Sequence, residues 1–337
     1  MSSTAASTPR YERSSPLLAD EDSQPLNLSH GPLLRRSLRS LTQSTLAPPR
    51  AKPSSLAQTV LTRRNFLLAA GGSAAALAFY AGEIARHELE VIELTIHLSR
   101  LPDVFAGMKV VQISDFHFAE YTEAFFLERM VRKVNELQPD LVLLTGDFVS
   151  TRPLTKGFGA RMAYHCAAIL SGIACPLRYA VIGNHDALVG SSTVIDALKV
   201  QGIPVLLDRS EPLERDGRRL WLAGIRDALQ QRPDLDAALP SDRRSEPVIL
   251  LAHEPDFADH VVGRQVDLVL SGHTHGGQIL LPFLPPLFLP EMGRKYLDGH
   301  FRFRDGMQLY VNRGIGAVNL PFRFRCPPEI TVFTLTP

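Results

Sequence analysis

Five short segments of this chain carry His, Asp and Asn side chains that could bind metal ions. They are Asp115-Phe116-His117, Gly146-Asp147, Gly183-Asn184-His185-Asp186, Ala252-His253 and Gly272-His273-Thr274-His275. Each segment follows an apolar run that reads as a β-strand, so each falls at the carboxyl end of a strand. Because such ends meet at one crevice of an α/β sheet, we expect these side chains to form one site at one sheet edge.

The residue types fit the hydrolysis of a phosphoester by two metal ions. Two divalent cations about 3.5–4 Å apart can clamp a phosphate, polarise it and supply a hydroxide nucleophile. Alternation along an extended segment would point Asp115 and His117 to the same side, so both could reach one ion. The same spacing could send His273 to one ion and His275 to the other. Glycine precedes three of the ligand segments, where the backbone must turn tightly or approach closely: Gly146, Gly183 and Gly272.

The order of the five motifs resembles the calcineurin-like metallophosphoesterase family. The motifs span residues 115–275, and the flanking strands extend the resemblance from about residue 90 to residue 337. The resemblance implies an α/β fold, namely a β-sandwich flanked by helices in α/β/β/α layers. It also implies a dinuclear centre with one shared carboxylate.

The family pattern implies a role for each motif residue. One metal would be bound by Asp115, His117, Asp147 and His275. The other would be bound by Asp147, Asn184, His253 and His273, with Asp147 bridging the two ions. His185 matches the catalytic histidine that contacts the phosphate and protonates the leaving oxygen, and Asp186 would orient its imidazole. This mixture of imidazole, carboxylate and amide suits Mn, Fe or Zn better than Mg or Ca, and the choice among the three stays open.

The residues around the motifs narrow the substrate class. Protein phosphatases of the family follow Gly-Asp with Asp-Arg-Gly, whereas this chain continues Phe148-Val149-Ser150-Thr151-Arg152, which argues against that class. The Gly276–Gln278 and Cys326–Ile330 segments resemble a bacterial subgroup of exported or membrane-tethered phosphoesterases. The resemblance implies hydrolysis of a phosphodiester or pyrophosphate, with a lipid-linked substrate as one option. The alternative is a non-catalytic metal-binding scaffold, which is disfavoured because every ligand and the catalytic histidine are retained.

An apolar loop follows the last motif. It comprises residues Ile279–Pro290, which include four prolines, so it forms neither a regular helix nor a central strand. Three interpretations remain open. The loop could be a lid over a lipid-bearing substrate, a membrane-dipping edge, or a segment packed on its own sheet.

The N-terminal quarter of the chain, residues 1–87, differs in composition from the rest. Residues 1–61 are rich in Ser, Pro, Thr and Ala, and we predict that this basic region is disordered. Residues 62–87 contain Arg63-Arg64 and an apolar run over 65–82, which is typical of a twin-arginine signal or a membrane anchor. We therefore expect export through the Tat translocon and an extracytoplasmic metallophosphoesterase domain at 88–337. An organellar transit peptide remains an alternative, and cleavage of the signal stays open.

Overall composition adds little to this interpretation. A net charge of +1 over 337 residues gives no reason to expect nucleic acid binding. Three cysteines fit no zinc-ribbon or thioredoxin spacing, so we predict small buried thiols, although Cys166 and Cys175 could pair in an oxidising compartment. Strands alternate with helices early in the chain and come close together later. One of the predicted helices covers Ser192–Val200 and is capped by Ser191 or Ser192.

Overall fold

The structure is a computed structural model that describes residues 62–151, 157–241 and 245–337. The predicted disorder of residues 1–61 and the side chain of Arg152 lie outside these ranges. Residues 62–72 belong to one unit of the chain and residues 73–337 to another, and the fold described below is that of residues 73–337. Its strands are β1 Glu90–His97, β2 Lys109–Ile113, β3 Leu141–Leu144, β4 Arg178–Ala180, β5 Arg209–Arg215, β6 Arg218–Gly224, β7 Val248–Leu251, β8 Leu268–Ser271, β9 Gly299–Arg302, β10 Gln308–Val311 and β11 Glu329–Thr336. The helices of the described chain are α1 Arg63–Phe79, α2 Ala124–Leu137, α3 Phe158–Leu170, α4 Asn184–Val200, α5 Leu235–Ala238 and α6 Ala258–Val261.

The strands form two mixed sheets. The first sheet has five strands in the order β1-β11-β2-β3-β4, and the second has six in the order β5-β6-β7-β8-β10-β9. In the first sheet β2, β3 and β4 are parallel, and β11 runs antiparallel to β2. In the second sheet β6, β7, β8 and β10 are parallel, and antiparallel β5 and β9 form the edges. Parallel central strands bring several carboxyl ends to the same side of each sheet.

Alternating side chains of the central strands fill cores on both faces of each sheet. In β3, Val142 and Leu144 pack under α2, α3 and α4, whereas Leu141 and Leu143 face the second sheet. In β7, the leucine side chain of Leu251 joins this central core, and Leu250 packs on the outer face with α5 and α6. Burial on both faces explains why these strands read as continuous apolar runs. The predicted α/β/β/α sandwich is confirmed, although the helices on the second sheet are only one turn long within the described ranges.

Two elements differ from the sequence prediction. Helix α4 begins at Asn184, inside the Gly-Asn-His-Asp motif, rather than at Ser192, because Gly183 provides the N-cap. Gly190, at φ 126°, kinks this helix, so its second half does start close to the predicted position. The edge strands β5 and β9 were not predicted from the sequence, since polar residues interrupt their apolar pattern. The three cysteines are buried free thiols, as predicted.

The helix before β1 begins at the arginine pair. Helix α1 starts at Arg63 and continues as a π-turn and a 3-10 turn as far as His87. This 25-residue stretch is long and apolar enough to cross a membrane by length and composition alone. Near its end, Ala81, Gly82 and Ala85 are buried.

Candidate metal centre

All nine predicted site residues lie at one end of the sandwich. The segments that follow β2, β3 and β4 supply residues 115–117, Asp147 and residues 184–186. The segments that follow β7 and β8 supply His253 and residues 273–275. The expected location at strand ends is therefore correct. The expectation of a single sheet edge is wrong, because the two sheets each provide part of the site.

The backbone of the two paired-ligand segments, Asp115–His117 and His273–His275, is left-handed at the ligand residues rather than extended. Asp115 and His117 have φ values of 52° and 42°, and His273 and His275 have values of 72° and 52°. Alternation along a strand therefore does not explain why each pair converges. Left-handed conformations are uncommon for residues with a Cβ, and they concentrate at functional sites where the surrounding structure enforces them.

The ligand atoms fall into two adjacent groups. Asp115, His117 and His275 form one group, and Asp147, His253 and His273 form the other, with the ligand atoms of each group within 4.8 Å of one another. His117 Nε2 lies 3.5 Å from Asp147 Oδ2, so the two groups adjoin. This grouping agrees with the division of ligands that the family pattern implies. A third group joins His117 and Asp147 to His185, so the geometry also lets His185 act as a ligand.

Backbone carbonyls orient two of the histidines. His253 Nδ1 donates to the Thr145 carbonyl at 2.7 Å, and His273 Nε2 donates to the Glu291 carbonyl at 2.8 Å. When the ring is neutral, each bond fixes its tautomer and leaves the other ring nitrogen with a free lone pair. Metal-binding histidines are commonly held in this way.

His117 is oriented by two side chains outside the five motifs. Its Nδ1 lies 3.1 Å from Ser150 Oγ, and the Ser150 hydroxyl donates to Glu120 Oε2. Since the hydroxyl proton is directed at the carboxylate, Ser150 accepts the Nδ1 proton of His117. His117 Nε2 is thereby left free to bind a metal. Neither residue was predicted, and the only signal was that Glu120 and Ser150 each lie three positions after a predicted ligand.

The buried polar atoms fit divalent cations. Asn184 Oδ1 and His253 Nε2 have no hydrogen-bond partner among the described residues, and His253 Nε2 lies only 3.2 Å from Asp147 Oδ2. Asp115 and Asp147 are both buried. Buried carboxylates and unpaired acceptors are costly unless a cation or a donor compensates them. The donor set, with imidazole, carboxylate and amide groups, therefore fits one or more metal ions.

Burial and mutual charge shift the pKa values of these groups. Burial raises the pKa of Asp115 to about 6. For Asp147, burial acts in the same direction, but the charges of His253 and His185 outweigh it and hold the pKa well below its usual range. Burial lowers the pKa of His273 to about 4 and holds the pKa values of His117 and His275 well below normal. These three imidazoles are therefore neutral at pH 7, as metal binding requires.

Two glycines allow the two sheets to approach each other at the site. A Cβ on Gly183 would lie 2.6 Å from His253 Nε2 and closer still to Asp147 Oδ1. A Cβ on Gly272 would overlap Ser114 Oγ and the Asp115 carboxylate. Both positions were predicted from the sequence as tight turns or close approaches. Close approach is the reason at both.

His185 and Asp186, which were predicted to act as a pair, make separate contacts. The His185 ring packs edge-on against His117 with centroids 4.7 Å apart, and its Nδ1 lies 3.4 Å from Thr151 Oγ1. The Asp186 carboxylate instead accepts from the backbone N–H groups of Phe148, Val149 and Gly183. Within the described ranges, Asp186 makes no hydrogen bond to His185. The prediction that it orients the imidazole is therefore wrong, since these bonds tie the Asp147 turn to the start of α4.

A buried arginine stabilises the C-terminal side of the site. Arg323 is fully buried, and its guanidinium donates to the carbonyls of Arg313, Gly316 and Cys326. Its Nη2 also lies 3.4 Å from His275 Nδ1. Burial lowers the pKa of Arg323. Arg323 was not predicted from the sequence, because nothing in its local pattern distinguishes it from a surface arginine.

A cavity of about 250 Å³ opens onto the candidate ligands. The lining includes the polar side chains of His117, Asp147, Asn184, His185 and His273. It also includes the apolar side chains of Ile279, Phe288, Leu289, Pro290, Val318 and Leu320. The cavity therefore suits a ligand that has both a charged group and an apolar group.

Comparison with known proteins identifies the family. The profile described as calcineurin-like phosphoesterase matches residues 108–277, about half of the chain. The chain belongs to this family. Its members are hydrolytic phosphoesterases that use divalent metals, so the prediction of an enzyme is confirmed at the level of the family.

Several curated relatives match most of the chain. The uncharacterized metallophosphoesterase YkuE of Bacillus subtilis is 36% identical over 289 residues, which cover 82% of this chain and 98% of the relative. The phosphodiesterase YaeI of Escherichia coli is 31% identical over 285 residues, which cover 82% of this chain and all of the relative. The UDP-2,3-diacylglucosamine pyrophosphatase LpxG of Chlamydia trachomatis is 28% identical, covering 68% of this chain and 85% of the relative.

Proposed function

We propose that this protein hydrolyses a phosphodiester or a pyrophosphate with two divalent metal ions. The observation that carries the proposal is the pair of adjoining ligand groups onto which the cavity opens. One ion would be held by Asp115, His117, Asp147 and His275. The other would be held by Asp147, Asn184, His253 and His273, and this mixture of donors suits Mn, Fe or Zn.

Asp147, His185 and Asp186 would each have a different role in the reaction. Two bound divalent ions neutralise phosphate charge and activate water. Asp147 belongs to one ligand group and lies 3.5 Å from His117 of the other, so it would bind both ions. His185 sits on the cavity wall, where its imidazole would contact the phosphate and donate a proton to the leaving oxygen. Asp186 would act through the backbone, because it joins the Asp147 turn to the residues that carry Asn184 and His185.

A diester is favoured over a monoester and over phosphoproteins. The relatives named phosphodiesterase and pyrophosphatase support this choice. So does a sequence after Gly146-Asp147 that lacks the Asp-Arg-Gly of protein phosphatases. The apolar residues in the cavity lining support a substrate with a lipid portion.

We also propose that the catalytic domain spans residues 88–337 and acts on the extracytoplasmic side. Export would use the twin-arginine route, with α1 as signal or anchor. The position of Arg63 and Arg64 at the start of an apolar helix supports this proposal.

Hydrolysis of bis-p-nitrophenyl phosphate tests the proposed reaction. We expect turnover by the full-length protein with Mn, slower cleavage of p-nitrophenyl phosphate, and loss of both activities in excess chelator. Asp147→Asn should reduce turnover most among the ligand variants, because it removes a charge from both ions. Wild-type turnover in excess chelator would disprove the two-metal proposal.

A further inference from the structure

The tip of the apolar loop, Ile279–Pro290, is exposed to solvent. Phe283 is fully exposed, Leu284 and Leu287 are more than half exposed, and Phe288 is 66% exposed. The loop carries no charged residue. Contiguous exposed apolar side chains of this kind usually mark a surface that contacts a partner or a membrane.

The base of the loop is fixed to the segment Val318–Phe324, which we call the platform segment. Gln278 Nε2 donates to the carbonyls of Val318 and Leu320 at 3.1 Å, and Leu280 N donates to the Phe324 carbonyl at 3.0 Å. Phe324 N in turn donates to the Gln278 carbonyl. The loop therefore projects from a rigid base rather than from a free hinge.

The end of the apolar N-terminal helix is fixed to the same platform segment. Arg323 N donates to the Ala81 carbonyl at 3.0 Å, and a Cβ on Gly82 would lie 3.0 Å from the Phe322 ring. Arg86 forms an ion pair of 2.6 Å with Glu123, which holds the following turn. Immediately before these contacts, Phe79 and Tyr80 are exposed. The C-terminal end of the apolar helix, from Phe79 to Gly82, therefore lies beside the base of the loop.

From this placement we propose that the loop tip inserts into the surface of the lipid bilayer that the helix enters. The partner is a bilayer because the helix is long and apolar enough to span one, and because loop and helix share one platform segment. The platform residues Val318 and Leu320 also line the cavity, as does Phe288. The cavity would then open at the membrane interface. It would accept a phosphoester whose apolar part stays in the bilayer, and this consequence rests on the proposed function.

Site-specific quenching tests the insertion directly. A Cys introduced by Phe283→Cys can be labelled with the fluorophore NBD, because the native cysteines are buried. The matched control is Val200→Cys. Val200 is 70% exposed and is the last residue of α4, at the opposite end of the helix from Asn184. The full-length variants are reconstituted in phosphatidylethanolamine–phosphatidylglycerol vesicles containing lipids with nitroxide groups on the acyl chains. We expect quenching at position 283 and none at position 200. Equal quenching at both positions would overturn the proposal.

A kinetic comparison tests the consequence for the cavity. Hexadecyl p-nitrophenyl phosphate held in the same vesicles is compared with soluble bis-p-nitrophenyl phosphate. Phe283→Ser combined with Leu284→Ser should lower turnover of the vesicle ester about tenfold or more and leave turnover of the soluble ester unchanged. The reason is that the apolar side chains of Phe283 and Leu284 gain free energy by burial only when they enter the bilayer. An equal fall on both esters would mean that the loop serves the fold, which would overturn the proposal. If the wild type cleaves neither ester, the proposed function fails, and the quenching still decides the insertion.

Discussion

Ser150→Ala should weaken metal binding without removing a metal ligand. Ser150 is buried, and its hydroxyl links His117 Nδ1 to the Glu120 carboxylate. Without it, the Nδ1 proton of a buried ring loses its acceptor, and the ring is no longer held with Nε2 toward the site. Losing such a support typically costs about 10–100-fold in metal affinity, which corresponds to about 1.4–2.7 kcal/mol.

The chain provides a matched control for this substitution. Ser271 is also buried near the ligands, but its hydroxyl has no hydrogen-bond partner within the described part of the chain. We expect Ser271→Ala to leave the affinity for Mn nearly unchanged, as measured by calorimetric titration of the metal-free protein. Saturating Mn should restore most of the turnover of Ser150→Ala. If the affinities of Ser150→Ala and Ser271→Ala agree within about twofold, the hydroxyl does not orient His117, since a lost orientation costs at least about tenfold.

Three further predictions concern other parts of the molecule. His185→Asn should lower turnover about 10²–10⁴-fold with both metals retained by elemental analysis, and loss of one metal would instead make His185 a ligand. Replacing Arg63 and Arg64 with Lys should strand the protein in the cytoplasm, as cell fractionation would reveal, whereas normal export would contradict the twin-arginine interpretation. Arg323→Met should lower the free energy of unfolding in urea by about 3 kcal/mol or more, because buried carbonyls lose their donors. The exposed Arg325→Met should change it little, and equal effects would show that the buried hydrogen bonds of Arg323 do not stabilise the fold.

The sequence correctly predicted that the polar clusters lie at strand ends, but it did not predict why their side chains meet. Strands buried on both faces are apolar throughout, so a polar cluster such as Asp115-Phe116-His117 clearly marks where a strand ends. The left-handed backbone at Asp115 and His117 was not predictable, because the surrounding turns impose it against the local preference of these residues.

Long-range contacts account for the other differences. The site draws on two sheets, and spacing along the chain does not reveal which strands share a sheet. Glu120 and Ser150 acquire their role only when two loops meet at His117. The role of Asp186 was not predictable for the same reason, since the backbone N–H groups of Phe148 and Val149 reach it from an earlier turn of the chain.

The division of the ligands between two sheets links metal occupancy to the assembly of the whole sandwich. Asp115 and Asp147 follow strands of the first sheet, whereas His253 and His273 follow strands of the second. A half-folded chain with only one sheet in place would lack part of each proposed ligand set. Metal capture would therefore come late in folding and would favour the fully packed state over partly opened ones. The compartment in which the chain folds, rather than the one in which it acts, would then decide which metal it carries.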